Sequence, residues 1–387
     1  MVRREIKFGV IGCGLMGREF ASASARWCHL LDLDYVPIIT AVCDPNPSAI
    51  TWFTDNFSSI KIASADYRTV LESPDIDAIY CSVPHNLHEQ LYTDIIRAGK
   101  HLLGEKPFGM DFKANEKISQ ISAANPNILV RCASEFPFFP GAQKLFKYAA
   151  EGRMGTILDV QAGFFHCSDL DPRKPMNWKR RVATNGAYGC MGDLGMHVLH
   201  LPLRLGWFPK NVRAVLSNIV KERPGQSGAL EPCETWDNAA LLCEVETHNQ
   251  HFPMTLEMKR IAPGEMNTWF IRVMGTECSA EFSTKYPKTL RTLPYAPGQE
   301  QYWRLQDIGI ESAYPSITGS IFEFGFSDSI LQMWAAFCDE LVHMNTMKQP
   351  FHCVTPAEAT LTHQVFSAAL KSNTLGETVP LRLCDVS

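Results

Sequence analysis

Hydrophobic and polar positions follow two different rhythms along this chain of 387 residues. Up to about residue 130, short apolar runs alternate with stretches of helical spacing, which is typical of parallel strands joined by helices. The predicted strands are Ile6–Ile11, Ile38–Cys43, Ala78–Ser82, His101–Gly104 and Ile128–Cys132, and the helical stretches include Asn86–Ala98 and Asp111–Ala124. Because the connections are short, this pattern predicts an α/β fold with a doubly wound parallel sheet.

Beyond Gly152 the rhythm changes, and β-type runs follow one another without regular helices between them. These runs are Ile157–Phe164, Val212–Ile219, Ala239–Val245, Phe252–Met258 and Phe270–Met274. They predict a C-terminal α+β domain built on a large, mostly antiparallel sheet.

A late helix is predicted near residues 355–373. Thr355 suits the N-cap, Pro356 the first helical position, and Glu358 the third, from which its carboxylate can return to the cap. The residues expected to share one face of this helix are Leu361, Val365 and Ala368.

The length of the chain supports two domains, because a single hydrophobic core rarely grows beyond roughly 250–300 residues. We place them at residues 1–133 and 134–387. With 45% hydrophobic residues, 20% charged residues and a net charge of −5, the composition is that of a folded globular protein. The densest basic run, Lys179–Arg181, is too short for a nucleic-acid-binding surface, so we expect no nucleic-acid partner.

The N-terminal residues, MVRREIKFGVIGCG, lead directly into a strand-like run, without the apolar stretch and cleavage site of an export signal. No run approaches the roughly 18 consecutive apolar residues of a membrane span. The 13 cysteines are scattered, with no C-x-x-C pair and no spacing typical of a metal site. We therefore expect a cytoplasmic protein with reduced thiols, no bound metal and no membrane association.

A glycine-rich turn follows the first predicted strand, where the sequence GVIGCGLMG has the G-x-G-x-x-G spacing. Gly12 suits the tight turn, Gly14 the close approach of a pyrophosphate, and Gly17 the packing of helix on strand. The backbone N–H groups at the start of the helix, including those of Leu15 and Met16, would bind the phosphates of a dinucleotide. The alternative is an ordinary glycine-rich turn.

An acidic residue, Asp44, ends the second predicted strand. In this kind of fold an acid about 20 residues after the glycines holds the ribose hydroxyl groups, and Asp44 lies 27 positions after Gly17. A short insertion within Trp27–Val36 would account for the difference. Since Pro45–Ser48 contains no Lys or Arg, the carboxylate favours NAD over NADP, whose extra phosphate carries a like charge. The alternative is a turn-forming aspartate.

Two further groups of residues are candidates for chemistry. Lys106, in the sequence GEKP, stands at the carboxyl end of a predicted strand, where open α/β sheets bind ligands. Asp193 and His197, in the sequence GDLGMH, are four residues apart, so on a helix both side chains share one face. The alternatives are a solvated surface lysine and a structural Asp–His pair.

With these motifs the sequence resembles the glucose–fructose oxidoreductase/inositol dehydrogenase (Gfo/Idh/MocA) family. The resemblance covers nearly the whole chain, and its specific part is the E-K-P sequence combined with D-x-x-x-H. It implies a Rossmann domain that binds NAD(P) over residues 1–133, and a domain for substrate binding and oligomerisation over 134–387. It also implies oxidation of an alcohol and assembly as a homodimer or homotetramer. Within the family, the stretches Lys179–His197 and Glu222–Gly228 are most similar to levoglucosan-type pyranoside dehydrogenases.

Lys106, Asp193 and His197 match the catalytic lysine, aspartate and histidine of the family, and the chemistry needs these residue types. Oxidation of a carbinol requires the hydroxyl proton to leave, and a histidine is a suitable base near neutral pH. An ammonium group beside the developing alkoxide stabilises its negative charge. We therefore expect His197 as the general base, Lys106 as the charge-stabilising group, and Asp193 as a ligand for a hydroxyl of a sugar or cyclic polyol or an orienter of the imidazole.

Some residues near the expected cleft depart from the family pattern. Where relatives commonly have T-P-N-x-x-H, this chain has VPHNLH over Val83–His88, and where many have asparagine and arginine before a proline it has Glu135–Pro140. The remaining residues expected to contact the cofactor are Pro84, His85, His88, Glu105 and Lys106. For His85 and His88, contact with the cofactor and a structural role, as a polar turn and a helix-start residue, are equally supported. His166 and His200 are expected to be structural.

Two other functions compete with a sugar, pyranoside, anhydrosugar or inositol dehydrogenase. The first is a glycosidase or epimerase that uses tightly held NAD as an internal redox relay. The second is a nucleotide-dependent sensor that has the fold but no turnover.

Overall fold

A computed structural model describes residues 3–247, 249–309, 312–319, 321–347 and 351–381. Its internal contacts divide the chain into two compact units. The first takes in the described residues of Met1–Gly109, Lys113–Phe138 and Glu311–Pro356. The second takes in those of Met110–Phe112, Phe139–Ile310 and Ala357–Ser387.

Strands and helices alternate up to residue 138. The strands are β1 (Arg4–Ile11), β2 (Tyr35–Cys43), β3 (Ile62–Ser64), β4 (Ala78–Cys81), β5 (His101–Gly104) and β6 (Val130–Cys132), and the helices are α1 (Leu15–Ala25), α2 (Pro47–Asn56), α3 (Tyr67–Leu71), α4 (His88–Arg97) and α5 (Phe112–Ala123). These described strands form a six-stranded parallel sheet in the order β3-β2-β1-β4-β5-β6. The order reverses between β1 and β4, the switch point where doubly wound sheets bind ligands. The predicted fold class is confirmed for this half of the chain.

The rest of the chain is richer in strands. Its elements are α6 (Pro140–Ala150), β7 (Ile157–Phe165), α7 (Val182–Asn185), α8 (Cys190–Arg204), β8 (Pro209–Ser217), β9 (Glu222–Pro224), β10 (Leu230–Pro232), β11 (Asn238–Glu246), β12 (His251–Lys259), β13 (Thr268–Gly275), β14 (Cys278–Ser283), β15 (Thr289–Pro294), β16 (Arg304–Asp307), α9 (Phe326–His343), α10 (Pro356–Leu375) and β17 (Val379–Pro380). Among the described strands, nine form one sheet in the order β16-β15-β14-β13-β7-β12-β11-β8-β17. Only β7 and β12 pair in parallel within it, so the predicted, mostly antiparallel sheet is confirmed.

Helix α9 belongs to a different unit by its contacts than by the division of the chain predicted from the sequence. Trp334 on α9 lies 3.6 Å from Phe20 of α1 and 5.2 Å from Phe8 of β1, measured between ring centroids. The Tyr35 hydroxyl donates to the Ala335 carbonyl at 3.2 Å. By contacts α9 therefore belongs to the first unit, although it lies within residues 134–387. Burial of these aromatic rings joins segments some three hundred residues apart, which sequence periodicity does not reveal. A cofactor domain at 1–133 and a substrate domain at 134–387 remain a functional prediction.

Several other sequence expectations can be compared with the structure. In α10, Leu361 and Val365 are buried as expected, whereas Ala368 is half-buried. Every cysteine in the described ranges is a free thiol, and Cys384 lies outside them. No helix in those ranges has the length and apolar character needed to cross a bilayer. Nor do the described residues bring three His, Cys, Asp or Glu side chains into a metal-binding group.

A histidine between two carboxylates anchors the C-terminal end of α9. His343 contacts Asp339 through Nδ1 at 2.6 Å and Asp34 through Nε2 at 3.2 Å. Partial burial opposes its charged form, but the hydrogen bonds and charges of Asp339 and Asp34 outweigh that effect and raise the pKa of His343. The resulting stabilisation is present below the ordinary imidazole pKa of about 6.5 and is lost as the pH rises through the raised value.

We predict that His343→Gln lowers the melting temperature by about 2 °C at pH 6 and by less at pH 9. Differential scanning fluorimetry of parent and variant at both pH values measures the difference. The control is His251→Gln, because His251 is exposed on β12, and it should give the same small change at both pH values. An equal effect of His343→Gln at pH 6 and pH 9 would contradict the charged His343–carboxylate pair.

Candidate active site

The turn between β1 and α1 is held tightly between two neighbouring strands. The Gly12 N–H donates to the Cys43 carbonyl at 2.9 Å, and the Ser82 hydroxyl donates to the Gly12 carbonyl at 2.9 Å. Gly12 has a φ of +96°, and a Cβ atom there would lie 2.2 Å from the Ser82 carbonyl oxygen. A Cβ atom on Gly17 would lie 2.2 Å from the Gly12 carbonyl oxygen. The fold itself therefore requires glycine at both positions.

Gly14 differs from these two glycines. Its φ of −74° is accessible to any residue, and no atom lies within 4 Å of the place a Cβ would take. No described side chain caps the helix that starts at Leu15, and the Leu15 side chain is 75% exposed. The start of α1 is thus open beside Gly14, and no described side chain caps its first N–H groups, those of Leu15, Met16 and Gly17. This cradle fits a pyrophosphate, which needs both close backbone approach and N–H donors.

Asp44 joins the glycine turn to the end of β2. One carboxylate oxygen accepts from the Cys13 N–H at 2.8 Å, and the other accepts from the Asn46 N–H at 2.8 Å. Asp44 therefore has the turn-forming role that the sequence analysis gave as the alternative. It is also only half-buried, next to the glycine turn. Burial and the charge of Asp44 raise the pKa of Cys13 to about 12, so the turn carries a neutral thiol.

Pro84, His85 and His88 follow the carboxyl end of β4. Pro84 precedes a short 3₁₀ helix, His85–Leu87, and the His85 side chain is buried. His88 is fully buried against the Tyr92 ring, its Nε2 is 3.0 Å from the Val83 carbonyl oxygen, and the Gly109 N–H donates to its Nδ1 at 3.5 Å. Because the backbone engages both ring nitrogens, this geometry favours the structural alternative for His88.

Glu105 and Lys106 follow the carboxyl end of β5. The Glu105 side chain is buried, and its Oε1 accepts a hydrogen bond from the Tyr80 hydroxyl at 2.7 Å. Lys106 is half-buried in the same unit. Lys106 is therefore only partly exposed to solvent, and its catalytic role stays a prediction.

Asp193 and His197 lie one turn apart on α8 in the second unit, and both side chains are buried. Trp269 Nε1 donates to the His197 carbonyl at 2.9 Å, and the Phe164 ring meets the imidazole edge-on at 5.5 Å. The turn on which the imidazole stands is thus fixed from two sides. His200 lies one turn further along α8, and its Nε2 is 3.1 Å from a guanidinium nitrogen of Arg204. Arg204 also ion-pairs with Glu358 at 2.5 Å, and these contacts agree with a structural role for His200. His166 packs against the Phe164 ring at 4.7 Å.

Two cations beside Asp193 were not among the residues predicted from the sequence. Lys179 Nζ lies 2.9 Å and 3.1 Å from the two carboxylate oxygens of Asp193, and an Arg260 guanidinium nitrogen lies 3.5 Å from one of them. The Lys179–Arg181 run was the available signal, but linear spacing does not connect it to Asp193. Arg180 in the same run is fully buried and ion-pairs with Asp169 and Asp237.

Comparison with known protein families agrees with this architecture. Residues 6–131 match the Gfo/Idh/MocA oxidoreductase family with an NAD-binding Rossmann fold, and residues 142–281 match the Gfo/Idh/MocA C-terminal domain. The chain belongs to the Gfo/Idh/MocA family. The NAD-binding Rossmann fold predicted for the N-terminal half of the chain is thereby confirmed, with NAD as the cofactor of the family's N-terminal domain.

Individual Gfo/Idh/MocA relatives are distant in sequence. Levoglucosan dehydrogenase of Pseudarthrobacter phenanthrenivorans is 26% identical over 60% of this chain and 59% of that protein. scyllo-Inositol 2-dehydrogenase (NADP(+)) IolU of Bacillus subtilis is 24% identical over 54% of this chain and 61% of that protein. The alignments thus span less than two thirds of the length of these curated relatives.

Solved structures share the fold over nearly the whole chain. A levoglucosan dehydrogenase in complex with NADH has a TM-score of 0.86 at 22% identity, covering 98% of this chain and 100% of that one. An inositol dehydrogenase homologue complexed with NAD+ from Azotobacter vinelandii has a TM-score of 0.79 at 20% identity, covering 98% of both chains. At this identity the likeness establishes the common two-part fold of the family.

The glycine turn of this family member allows a test that separates fold from ligand. We predict that Gly14→Ala leaves the melting temperature within about 1 °C of the parent, because its methyl group meets open space. NADH binding should weaken at least about tenfold, because the methyl group occupies the space of the pyrophosphate. Fluorescence titration with NADH and thermal melting measure the two effects.

The matched control is Gly12→Ala, in which the added methyl group meets the Ser82 carbonyl at a positive φ. That variant should lose about 2 kcal/mol or more of folding stability. Unchanged NADH affinity in a folded Gly14→Ala protein would show that the pyrophosphate does not approach Gly14.

Proposed function

We propose that this chain is an NAD-dependent dehydrogenase that oxidises a secondary hydroxyl of a sugar, pyranoside, anhydrosugar or inositol. The observation that carries the proposal is the pairing of Asp193 and His197 on one turn of α8, in a family member that also has Lys106 beyond β5. Similarity to levoglucosan and inositol dehydrogenases supports a cyclic polyol as substrate.

NAD would be held by residues at the carboxyl edge of the parallel sheet. The N–H groups of Leu15, Met16 and Gly17 would bind the pyrophosphate beside Gly14, and Asp44 would accept hydrogen bonds from the adenosine ribose. Pro84, His85 and Lys106 follow the neighbouring strands β4 and β5 and would line the nicotinamide half. Bound NAD supplies a hydride acceptor.

The proton chemistry falls to the chain's own side chains. His197 Nδ1 or Nε2 would accept the hydroxyl proton of the carbinol, since imidazole is a base near neutral pH. The Lys106 ammonium group would stabilise the oxygen as negative charge develops there. Asp193, oriented by Lys179 and Arg260, would accept a hydrogen bond from a second hydroxyl of the substrate. A ring with adjacent hydroxyls offers both contacts at once.

Assembly as a homodimer or homotetramer and a cytoplasmic location also remain predictions. The outward residues of the large sheet include aromatic and charged side chains that are only partly exposed. Phe165 and Phe270 have ring centroids 5.2 Å apart there, and Arg272 ion-pairs with Glu281 at 2.6 Å. A surface of this composition suits a two-fold contact with a second copy.

We predict that Lys106→Ala and His197→Ala each lower turnover by at least about two orders of magnitude while NAD binding is kept. Initial rates of NAD reduction across hexoses, pyranosides, anhydrosugars and inositols identify the substrate, on which the variants are then compared. The matched controls are Lys113→Ala and His251→Ala, which alter exposed residues.

Parent-like turnover in either Lys106→Ala or His197→Ala would refute its catalytic assignment. If none of the compounds in the panel supports reduction of NAD by the parent protein, the dehydrogenase proposal fails. Tightly retained NAD without net NADH production would point instead to an internal redox relay.

We further predict a higher kcat/KM with NAD than with NADP, because the Asp44 carboxylate would repel the 2′-phosphate. One relative is named for NADP(+), so family membership alone does not decide the preference. Asp44→Ser combined with Asn46→Arg should narrow or reverse the ratio, measured at saturating polyol.

Asn46 also caps α2, because its side-chain oxygen accepts from the Ser48 N–H at 3.1 Å. Asn46→Arg alone is therefore the control for loss of the cap, worth about 1 kcal/mol. A parent enzyme that prefers NADP would show that Asp44 serves only the turn.

A further inference from the structure

Three neighbouring parallel strands bring two acidic groups and Lys106 to one edge of the sheet. Gly104, the last residue of β5, pairs with Cys81 of β4 on one side and Cys132 of β6 on the other. The Ala133 N–H donates to the Gly104 carbonyl at 2.8 Å, which continues the pairing just past the end of β6. Glu105 and Lys106 follow β5, and Glu135 follows β6. Neither Glu135 nor its carboxyl chemistry has a part in the mechanism proposed above.

Both glutamates are removed from solvent. Glu105 is 6% exposed and Glu135 is 4% exposed. The ionisable groups that interact electrostatically with Glu135 include Tyr80 of β4, Glu105 and Lys106 beyond β5, and Cys132 of β6. Burial raises the pKa values of Tyr80 and Cys132 well above their usual range, so both stay neutral. The charges that Glu135 meets in this cluster are therefore those of Glu105 and Lys106.

The two carboxyl groups are not equivalent. Glu105 accepts the Tyr80 hydroxyl hydrogen bond at 2.7 Å, which favours its ionised form. The ionised form of Glu135 is disfavoured first by burial and then by the negative charge of Glu105, which together raise the pKa of Glu135 to about 8. Lys106 and a backbone N–H favour the ionised form but do not outweigh these two effects. Near neutral pH the cluster therefore holds one carboxylate, one carboxylic acid and Lys106.

We propose that Glu135 is a positioning residue for Lys106: its buried carboxyl group follows the strand next to the one that Lys106 follows, and its negative charge, when ionised, helps to keep the Lys106 ammonium group protonated. The acid thus acts as a reserve counter-charge. Glu135 is neutral near pH 7, where Glu105 already supplies one negative charge, and it ionises as the pH rises through about 8. The released proton goes to solvent.

The kinetic consequence rests on the proposed function. Oxidation of an alcohol releases a proton, so alkaline conditions favour it, whereas stabilisation of the alkoxide requires a charged Lys106. A second carboxylate that forms with rising pH extends the range in which both conditions hold.

The direct test follows the charge of Lys106 without any substrate. The full-length chain is labelled competitively with acetic anhydride over a pH series, and modification of Lys106 is quantified by mass spectrometry. In Glu135→Gln, which keeps the size of the side chain but cannot ionise, the midpoint of the Lys106 labelling curve should fall by about one pH unit, the usual effect of losing one nearby carboxylate. Glu135→Asp should restore at least half of the shift.

A matched control is Glu89→Gln, because Glu89 is a partly exposed carboxylate that pairs with Lys117 at 2.7 Å. That variant should leave the Lys106 curve unchanged. The kinetic counterpart is the alkaline limb of kcat/KM, which should move to lower pH by a similar amount in Glu135→Gln, with little change at pH 7. A merely structural role would lower activity at all pH values without moving the limb.

An unchanged Lys106 labelling curve in folded Glu135→Gln would overturn the proposal. If Glu135→Gln does not fold, Glu135→Asn carries the same expectation and the same refutation. A shifted curve in a chain that oxidises no polyol would refute the proposed function but support the coupling of Glu135 to Lys106. Turnover of a polyol together with an unshifted Lys106 labelling curve would support the proposed function and refute the coupling of Glu135 to Lys106.

Discussion

The close approach of the Gly12 backbone to the ends of β2 and β4 is the constraint on which the proposed cofactor-binding edge of the parallel sheet depends. The turn after β1 is bonded to the end of β2 through Cys43 and to the end of β4 through Ser82, and it leaves no room for a side chain. Helix α1 must therefore start at the point where the strand order reverses. The open space beside Gly14, the acid at Asp44 and the residues beyond β4 and β5 all take their places from this junction.

Buried charge is the corresponding constraint in the second unit. Arg180 ion-pairs with Asp169 and Asp237, and all three side chains are fully buried. Burial alone would raise the pKa of Asp169, but Arg260, Arg180 and Lys174 hold it at about 2. Removing one member of such a network typically costs about 3–5 kcal/mol, because its partner is left as an uncompensated charge. Since Arg260 also approaches Asp193, the network contributes to the orientation of that carboxylate.

Local sequence patterns determined much of the architecture. The apolar runs that became β1, β2, β4 and β5 were predicted within a few residues, because strands buried on both faces of a parallel sheet are continuously apolar. The spacing of Gly12, Gly14 and Gly17 predicted a dinucleotide-binding turn, since each position has a separate steric requirement. Asp193 and His197 could be assigned to one helix face from spacing alone. The short strands β3, β9 and β10, and β14 to β16, were not predicted, because, unlike β4 and β5, they interrupt their apolar residues with polar ones.

Long-range contacts decided the rest. The membership of α9 in the first unit depends on Trp334 meeting rings from α1 and β1, and no local pattern encodes a partner three hundred residues away. Lys179 and Arg260 beside Asp193, and the second carboxyl group near Lys106, come from separate segments that only the folded chain brings together. The sequence by itself determined which residue types were available for the chemistry. The tertiary structure decided which charges those residues meet, because electrostatic interactions depend on distance and burial in space and not on separation along the chain.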